Sequence, residues 1–125
     1  MQTRIMVCVT RQKACKRLIE IGKKVSKEMA GELFVVHVVK TGSNFLGNPD
    51  EGEALDYLYE ISKKANATMS VLRSDDVVQT LVDFANEYEA NMIIAGESPE
   101  VKDKHSIIKQ LERRLPGIEM NIVAS

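Results

Sequence analysis

Short apolar runs alternate with longer amphipathic stretches along the chain. The apolar runs are continuous and mostly rich in β-branched residues, which is typical of strands buried on both faces of a sheet. Five of them predict strands, and the third is the least apolar: Ile5–Val9, Leu33–Val39, Thr68–Leu72, Asn91–Ala95 and Met120–Ala124.

The stretches between these runs have the periodicity of helices. In Ala14–Ala30 the apolar positions recur every three to four residues and form one stripe, which consists of Leu18, Ile21, Gly22, Val25 and Met29. Gly31 follows at the position of a left-handed C-terminal cap. Three further helices are predicted, with serine N-caps on the last two: Glu53–Ala65, Ser74–Tyr88 and Ser106–Leu115.

The element order βαβαβαβαβ predicts the fold class. It is an α/β fold with an open five-stranded parallel sheet and helices on both faces, formed by a single domain over residues 1–125. Ligands of such sheets bind beyond the carboxyl ends of the strands. Four segments follow those ends and are therefore candidate site segments: Thr10–Lys13, Lys40–Gly52, Arg73–Asp75 and Gly96–His105.

Composition and charge narrow the class of protein. Apolar residues make up 44% and charged residues 28%, as in ordinary globular proteins, and no apolar run is long enough to cross a bilayer. The net charge of −1 and the scattered aromatic residues argue against nucleic-acid binding. The chain starts directly with a strand-like segment, so we expect no signal peptide, a cytoplasmic location and no membrane contact. Residues 1–31 hold eight basic and two acidic residues, which indicates either a solvated helix face or a surface for an anionic partner.

Neither the cysteines nor the histidines form a chemical motif. Cys8 and Cys15 have neither the spacing of a redox pair nor that of a zinc pair, and we expect two small buried thiols. His37 lies within a strand and His105 within a loop, without partners at metal-ligand spacing, so the sequence predicts no metal site and a hydrogen-bonded His37 at the edge of the core. Ser98 lies in G-E-S-P, which is not a nucleophile elbow, and no catalytic residues are predicted.

Two segments could hold an anion. Thr10–Lys13 places Arg11 at the start of a helix, where free N–H groups favour phosphate, but it lacks the glycines of a phosphate loop, so an exposed basic turn is the alternative. In the second segment, Gly96 could take a positive φ or allow close approach of a ligand, and Ser106 could bind phosphate. A polar loop that ends in an N-cap serine is the alternative there.

Three longer stretches resemble the universal stress protein domain. They are R-I-M-V-C-V-T with the helix after it, G-E-L-F-V-V-H-V-V, and D-V-V-Q-T-L-V-D-F-A-N-E-Y-E-A-N-M-I-I-A-G, in which Asn91 stands where the family usually has Asp. The first two are especially similar to the universal-stress-protein segment of potassium-responsive sensor histidine kinases. The resemblance implies the adenine-nucleotide alpha-hydrolase-like fold with strand order 3-2-1-4-5. It also implies a homodimer through the last strand, with Met120, Asn121, Ile122 and Val123 at the interface.

The resemblance also implies where ATP would bind. The family's acidic residue after the first strand is Thr10 here, and the strand-two backbone contact falls near Val38. Of the family's phosphate loop, Gly96 and Ser106 match, whereas Pro99 replaces a glycine and the loop is shorter. Proline has a fixed φ and no N–H to donate, so this pattern predicts no tightly bound cofactor. Some kinase segments of this branch bind a cyclic dinucleotide through serines after strand one and a phenylalanine in strand two, of which only Phe34 is present.

Three functional hypotheses follow. The first is a non-enzymatic regulatory module with a degenerate ATP loop, which acts by dimerising or by docking to a protein partner or a parent sensor kinase. The second is a nucleotide-binding protein, with slow ATP hydrolysis as one form of it, whose site would consist of Thr10, Arg11, Val38, Gly96, Ser98 and Ser106 and would take ATP with Mg²⁺. The third is an unrelated enzyme on the same architecture.

Overall fold

The structure, a computed structural model, describes residues 3–96 and 107–124. Five strands and four α-helices alternate within these ranges, as the sequence predicts. They are β1 (Arg4–Cys8), α1 (Gln12–Met29), β2 (Glu32–Lys40), α2 (Glu51–Lys64), β3 (Thr68–Ser74), α3 (Val77–Glu87), β4 (Met92–Gly96), α4 (Ile107–Arg114) and β5 (Glu119–Val123). A short 3₁₀ turn, Phe45–Gly47, lies in the loop between β2 and α2.

The strands form one sheet in the order β3-β2-β1-β4-β5, and every pairing is parallel. This confirms the strand order that the family resemblance implied. The chain leaves the central strand β1 toward β2 on one side, and β4 later joins β1 on the other. The carboxyl end of β1 therefore lies at the point where the strand order reverses, which is where ligands of open α/β sheets bind.

The core has two layers, one on each side of the sheet. Along β2, Leu33 and Val35 pack on the side of α1 and α2, whereas Phe34, Val36 and Val38 pack on the side of α3 and α4. Because both faces are covered, successive residues of the inner strands are all buried, and this explains why the strands read as continuous apolar runs.

The C-terminal cap of α1 differs from the prediction. Ala30, not Gly31, takes the left-handed conformation, with φ of 50°. The Gly31 N–H then donates to the Ser26 carbonyl at 2.9 Å. Gly31 is needed for a different reason, because a Cβ at this position would lie 2.7 Å from the carbonyl oxygen of Thr3.

The predicted N-cap of α3 is also wrong. The N-cap is Asp76, whose carboxylate accepts the Gln79 N–H, whereas Ser74 ends β3 and its hydroxyl accepts the Asp76 N–H. Met29, the last residue of the apolar stripe predicted for α1, is 45% exposed. It lies in the last turn of α1, beyond the part of the helix that packs on the sheet.

Asn91, which immediately precedes β4, forms hydrogen bonds to both β1 and β5 at the amino edge of the sheet. Its N–H donates to the Arg4 carbonyl at 2.8 Å, and its side-chain oxygen accepts the Arg4 N–H at 2.7 Å. Its own carbonyl accepts the Glu119 N–H at 3.1 Å. The side chain acts here as an acceptor, a role that aspartate also fills, so the replacement of the family's Asp by Asn preserves this contact.

Candidate functional site

The candidate site lies at the carboxyl edge of β1 and β2. Thr10 and Arg11 are exposed in the turn that leads from β1 into α1. Arg11 is the N-cap of α1 and makes no side-chain capping bond, and the first turn of the helix contains no acidic residue. The turn thus presents the start of a helix together with the side chains of Arg11 and Lys13, a combination that favours anions.

The other predicted site residues are placed only in part. Gly96 ends β4, and the glycines with positive φ in the described ranges are Gly42 and Gly47. The positive φ suggested for Gly96 is therefore wrong. A Cβ there would meet Leu18 at 3.5 Å, an ordinary contact. The predicted site residues Ser98 and Ser106 lie outside the described residues.

Val38 and Phe34 direct their side chains away from this edge. Both pack into the α3 and α4 side of the core, and the Phe34 ring lies 6.2 Å from Phe84 and 5.2 Å from Tyr88, centroid to centroid. The side chain of Val38 is therefore not available to a ligand at the edge, and the backbone contact that the resemblance implies stays a prediction. Phe34 is a core residue in this structure.

A buried histidine links the two strands at the edge to the loop above them. His37 is 3% exposed, and its Nδ1 lies 2.8 Å from the Val9 carbonyl oxygen. Its Nε2 accepts the backbone N–H of Leu46 at 2.9 Å. Since a carbonyl only accepts and an N–H only donates, the proton must be on Nδ1 and the ring must be neutral. Burial lowers the pKa of His37 below its ordinary value of 6.5, against an opposing effect of the Val9 bond. The sequence prediction of a hydrogen-bonded histidine is confirmed.

The segment that His37 holds is folded down onto the sheet edge. Leu46 is 3% exposed and belongs to the core on the side of α1 and α2, although its φ of 54° is unfavourable for a branched side chain. Gly47 follows with φ of 70°. The side-chain amide of Asn48 donates to the Gln12 side-chain oxygen at 2.9 Å and so ties the segment to α1.

Arg73 clamps the other flank of the same segment. Its guanidinium donates to the Ser43 carbonyl at 2.7 Å, pairs with the Glu51 carboxylate at 2.9 Å and lies 4.5 Å from the centre of the Phe45 ring. Glu51 also accepts the Phe45 N–H at 3.0 Å. The Phe45 N–H, together with Arg73, lowers the pKa of Glu51. No pattern in the sequence predicts this network, although Arg73 lies in one of the four candidate segments.

An open groove of about 850 Å³ lies between this segment and the start of α1. Its lining includes Arg11 and Lys13 from the start of α1, Gly47, Asn48 and Pro49 from the loop, and Tyr57 from α2. The lining contains two cationic side chains and no carboxylate. The groove is therefore suited to an anionic group beside an aromatic ring.

The remaining chemical candidates are inert within the described ranges. Cys8 and Cys15 are free, and burial raises the pKa of each thiol to about 12, as expected of core cysteines. Among residues 3–96 and 107–124, no three histidine, cysteine or acidic side chains are close enough to hold a metal ion. Nor does any helix in these ranges have both the length and the hydropathy to cross a bilayer.

Among the described residues, no strand pairs with the outer edge of β5, which is bonded to β4 on its other side. In β5, Ile122 is 38% exposed, whereas Met120, Asn121 and Val123 are half-buried. At the opposite edge, β3 pairs only with β2 and exposes Leu72, also at 38%.

Comparisons with known proteins agree with the geometry. The sequence profile of the Universal stress protein family matches residues 1–110. The chain is 29% identical over 126 residues to a putative sensor protein KdpD of Synechocystis sp.; the match covers 98% of this chain and 34% of that protein, so the chain spans about a third of this relative's length.

Two solved structures share the fold. A universal stress protein in complex with cAMP is 16% identical, with a TM-score of 0.69 over 97% of this chain and 95% of the other. The universal stress protein of Archaeoglobus fulgidus in complex with dAMP is 17% identical, with a TM-score of 0.63 over 98% and 96% of the two chains.

Proposed function

The chain belongs to the universal stress protein family, and on that premise we propose that it is a non-enzymatic regulatory module that binds no nucleotide tightly. It acts by forming a homodimer through β5 or by docking to a protein partner. The sensor protein among its relatives supports a regulatory role, and in that setting the partner is the remainder of a sensor protein.

The observation that carries this proposal is the closed edge above β1 and β2. The Val9 carbonyl and the Leu46 N–H are both bonded to His37, and the Leu46 side chain is buried beside them. A base that approached the backbone of β2 here would have to displace the protein's own contacts. The sequence supports the same conclusion, because Thr10 offers no carboxylate to a base and Pro99 offers no N–H to a phosphate.

Titration calorimetry with Mg-ATP, ADP, AMP and cyclic dinucleotides tests the absence of tight binding. The protein is first stripped of ligand, and any nucleotide released is identified by mass spectrometry. We expect no binding at micromolar concentrations and no co-purified nucleotide. Micromolar binding of any of these compounds to the wild-type protein would overturn the proposal.

Dimerisation through β5 has its own test with a matched control. Ile122→Lys and Leu72→Lys place the same charge at equally exposed positions on the two edge strands. In sedimentation velocity we expect Ile122→Lys to be monomeric and Leu72→Lys to remain a dimer. Equal sedimentation of both variants and the wild type, whether all monomer or all dimer, would contradict a β5 interface.

The groove beside Arg11 and Lys13 favours nucleotide binding as a second candidate function. Its two cationic side chains suit a phosphate, its Tyr57 ring suits a base, and two proteins of the same fold are complexes with cAMP and dAMP. If this function is correct, Arg11→Ala should weaken binding of AMP, whereas Arg17→Ala, an equally charged change one turn and a half along α1, should not. A phosphate-release assay on the wild-type protein tests for slow ATP hydrolysis.

A further inference from the structure

Protonation of one side chain determines whether the loop above the sheet edge can stay closed. The His37 ring bonds two backbone groups of opposite character, the Val9 carbonyl and the Leu46 N–H, and only the neutral ring can satisfy both. We propose that His37 is a proton-sensitive latch: a proton added to Nε2 breaks the bond to Leu46 and releases Leu46 and Gly47 from the carboxyl edge of β1 and β2.

The bond cannot survive protonation. In the imidazolium both ring nitrogens are donors, so Nε2–H would face the Leu46 N–H at the present separation of 2.9 Å. The two donors repel, and the charged ring would remain buried without a carboxylate bonded to it. Moving the loop away relieves the repulsion and admits water to the ring.

The surrounding ionisable groups do not offset this charge. From β3, Arg73 approaches the Phe45 ring and adds a second positive charge to the same loop, while Glu51 at the start of α2 is already engaged by Arg73 and by the Phe45 N–H. Arg11, the N-cap of α1, is cationic, and the Cys15 thiol in α1 donates to the Arg11 carbonyl. Burial also lowers the pKa of His37, so the latch is closed at neutral pH and opens in acid.

The loop is built to open as a short unit. On one side Arg73 binds the Ser43 carbonyl and the Phe45 ring, and Glu51 accepts the Phe45 N–H. On the other side Asn48 is bonded to Gln12, so both flanks keep their contacts when the bond to Leu46 breaks. Between them, Leu46 has a left-handed φ that its side chain disfavours, and release removes that constraint. Opening uncovers the Val9 carbonyl and the apolar side chain of Leu46 at the strand ends.

This inference deepens the proposed function, because it identifies the contact that closes the edge and the signal that opens it. The two can fail separately. Tight nucleotide binding at neutral pH would refute the proposed function and leave the tautomer and pH response of His37 to be measured independently.

The primary test is NMR on the wild-type chain. Imidazole ¹⁵N shifts at pH 7.5 should show the tautomer with the proton on Nδ1. Amide exchange of Leu46, corrected for the intrinsic pH dependence, should become at least about tenfold less protected between pH 7.5 and pH 5. Core amides such as Val7 and Val35 should stay protected, which separates loop release from unfolding. An Nε2–H tautomer, or unchanged Leu46 protection at pH 5, would overturn the latch.

Two variants separate the two bonds of the ring. His37→Gln places an amide oxygen near the position of Nε2 and retains an acceptor for Leu46 that does not titrate in this range. His37→Asn places an amide N–H near the position of Nδ1 and retains only the donor to Val9. We expect Leu46 protection to be independent of pH in both, high in His37→Gln and about tenfold lower in His37→Asn. A His105→Gln background removes the other histidine signal, and if either variant fails to fold, the wild-type measurements still decide the question.

Discussion

Gly22 lies where α1 packs closely against β1 and β2, and its replacement by alanine tests that packing. A Cβ on Gly22 would lie 2.7 Å from Cγ2 of Val7 and 3.0 Å from Cδ1 of Leu33. The leucine methyl can rotate away, but Val7 is fully buried and β-branched, so its methyl has no other place to go. The helix or the strand must therefore move.

The expected magnitude is the difference between two opposing effects. Alanine is favoured over glycine inside a helix by about 1 kcal/mol. Overpacking of a well-packed core costs about 1–3 kcal/mol. We expect Gly22→Ala to lower the free energy of unfolding by about 1 kcal/mol, which corresponds to a fall in Tm of about 4 °C for a domain of this size.

Urea denaturation followed by circular dichroism measures the change, and Gly52→Ala is the matched control. Gly52 is exposed in the first turn of α2, where a Cβ would meet only the Asp50 carboxylate at 3.6 Å. That variant should be as stable as the wild type or more so. In the Gly22→Ala background, Val7→Ala should cost less than it does alone, because it removes the clashing methyl. A Gly22→Ala protein at least as stable as the wild type would refute the close packing.

Three further predictions concern stability. Ala30→Gly should raise the free energy of unfolding by up to about 1 kcal/mol in urea denaturation, because the left-handed φ of 50° costs alanine more than glycine; a less stable variant would contradict this. Ser62→Ala should raise the melting temperature, because the Ser62 hydroxyl is buried without a hydrogen-bond partner in the described structure. Ser26→Ala is the control and should not raise it, because it loses a 2.9 Å bond to the Lys23 carbonyl. Equal effects of the two changes would show that helix propensity alone is responsible. The pKa of His37 is lower in the folded than in the unfolded chain, so the contribution of His37 to stability is complete above pH 6.5 and declines as the pH falls below that value. The urea midpoint should therefore drop more in the wild type than in His37→Gln between pH 7.5 and pH 5.

The fold could be predicted from the sequence because its strongest signals are local. Apolar runs and helical stripes each need only a window of residues, and the rule of right-handed crossovers converts their alternation into a parallel sheet. The exact residues at the helix ends could not be predicted in the same way. A cap depends on which single residue bears a left-handed φ or turns its carboxylate inward, and Ala30 and Asp76 took these roles beside the residues whose types favour them more, Gly31 and Ser74.

The position of the candidate site could be predicted from the sequence, but the contacts within it could not. The strand ends indicated the edge, and a buried histidine in a strand indicated a hydrogen bond. The bond between His37 and Leu46 could not be inferred from the sequence. Leu46 lies nine residues away in a loop, and its N–H reaches the ring only through a backbone conformation that leucine rarely adopts. Arg73 likewise binds the backbone oxygen of Ser43 and lies against the Phe45 ring. No spacing in the sequence predicts these two contacts.

The hydrogen bonds between Arg4 and Asn91 bear on the order in which parts of the chain can fold. The two residues are separated by 87 positions, and β1, the central strand, gains its second neighbour only when β4 arrives. During synthesis from the N-terminus, β1, β2 and β3 can assemble with α1 and α2 while the far side of β1 still presents unpaired N–H and C=O groups. The central strand of the finished sheet is thus an open edge in the nascent chain, able to pair with a neighbouring chain until β4 has left the ribosome.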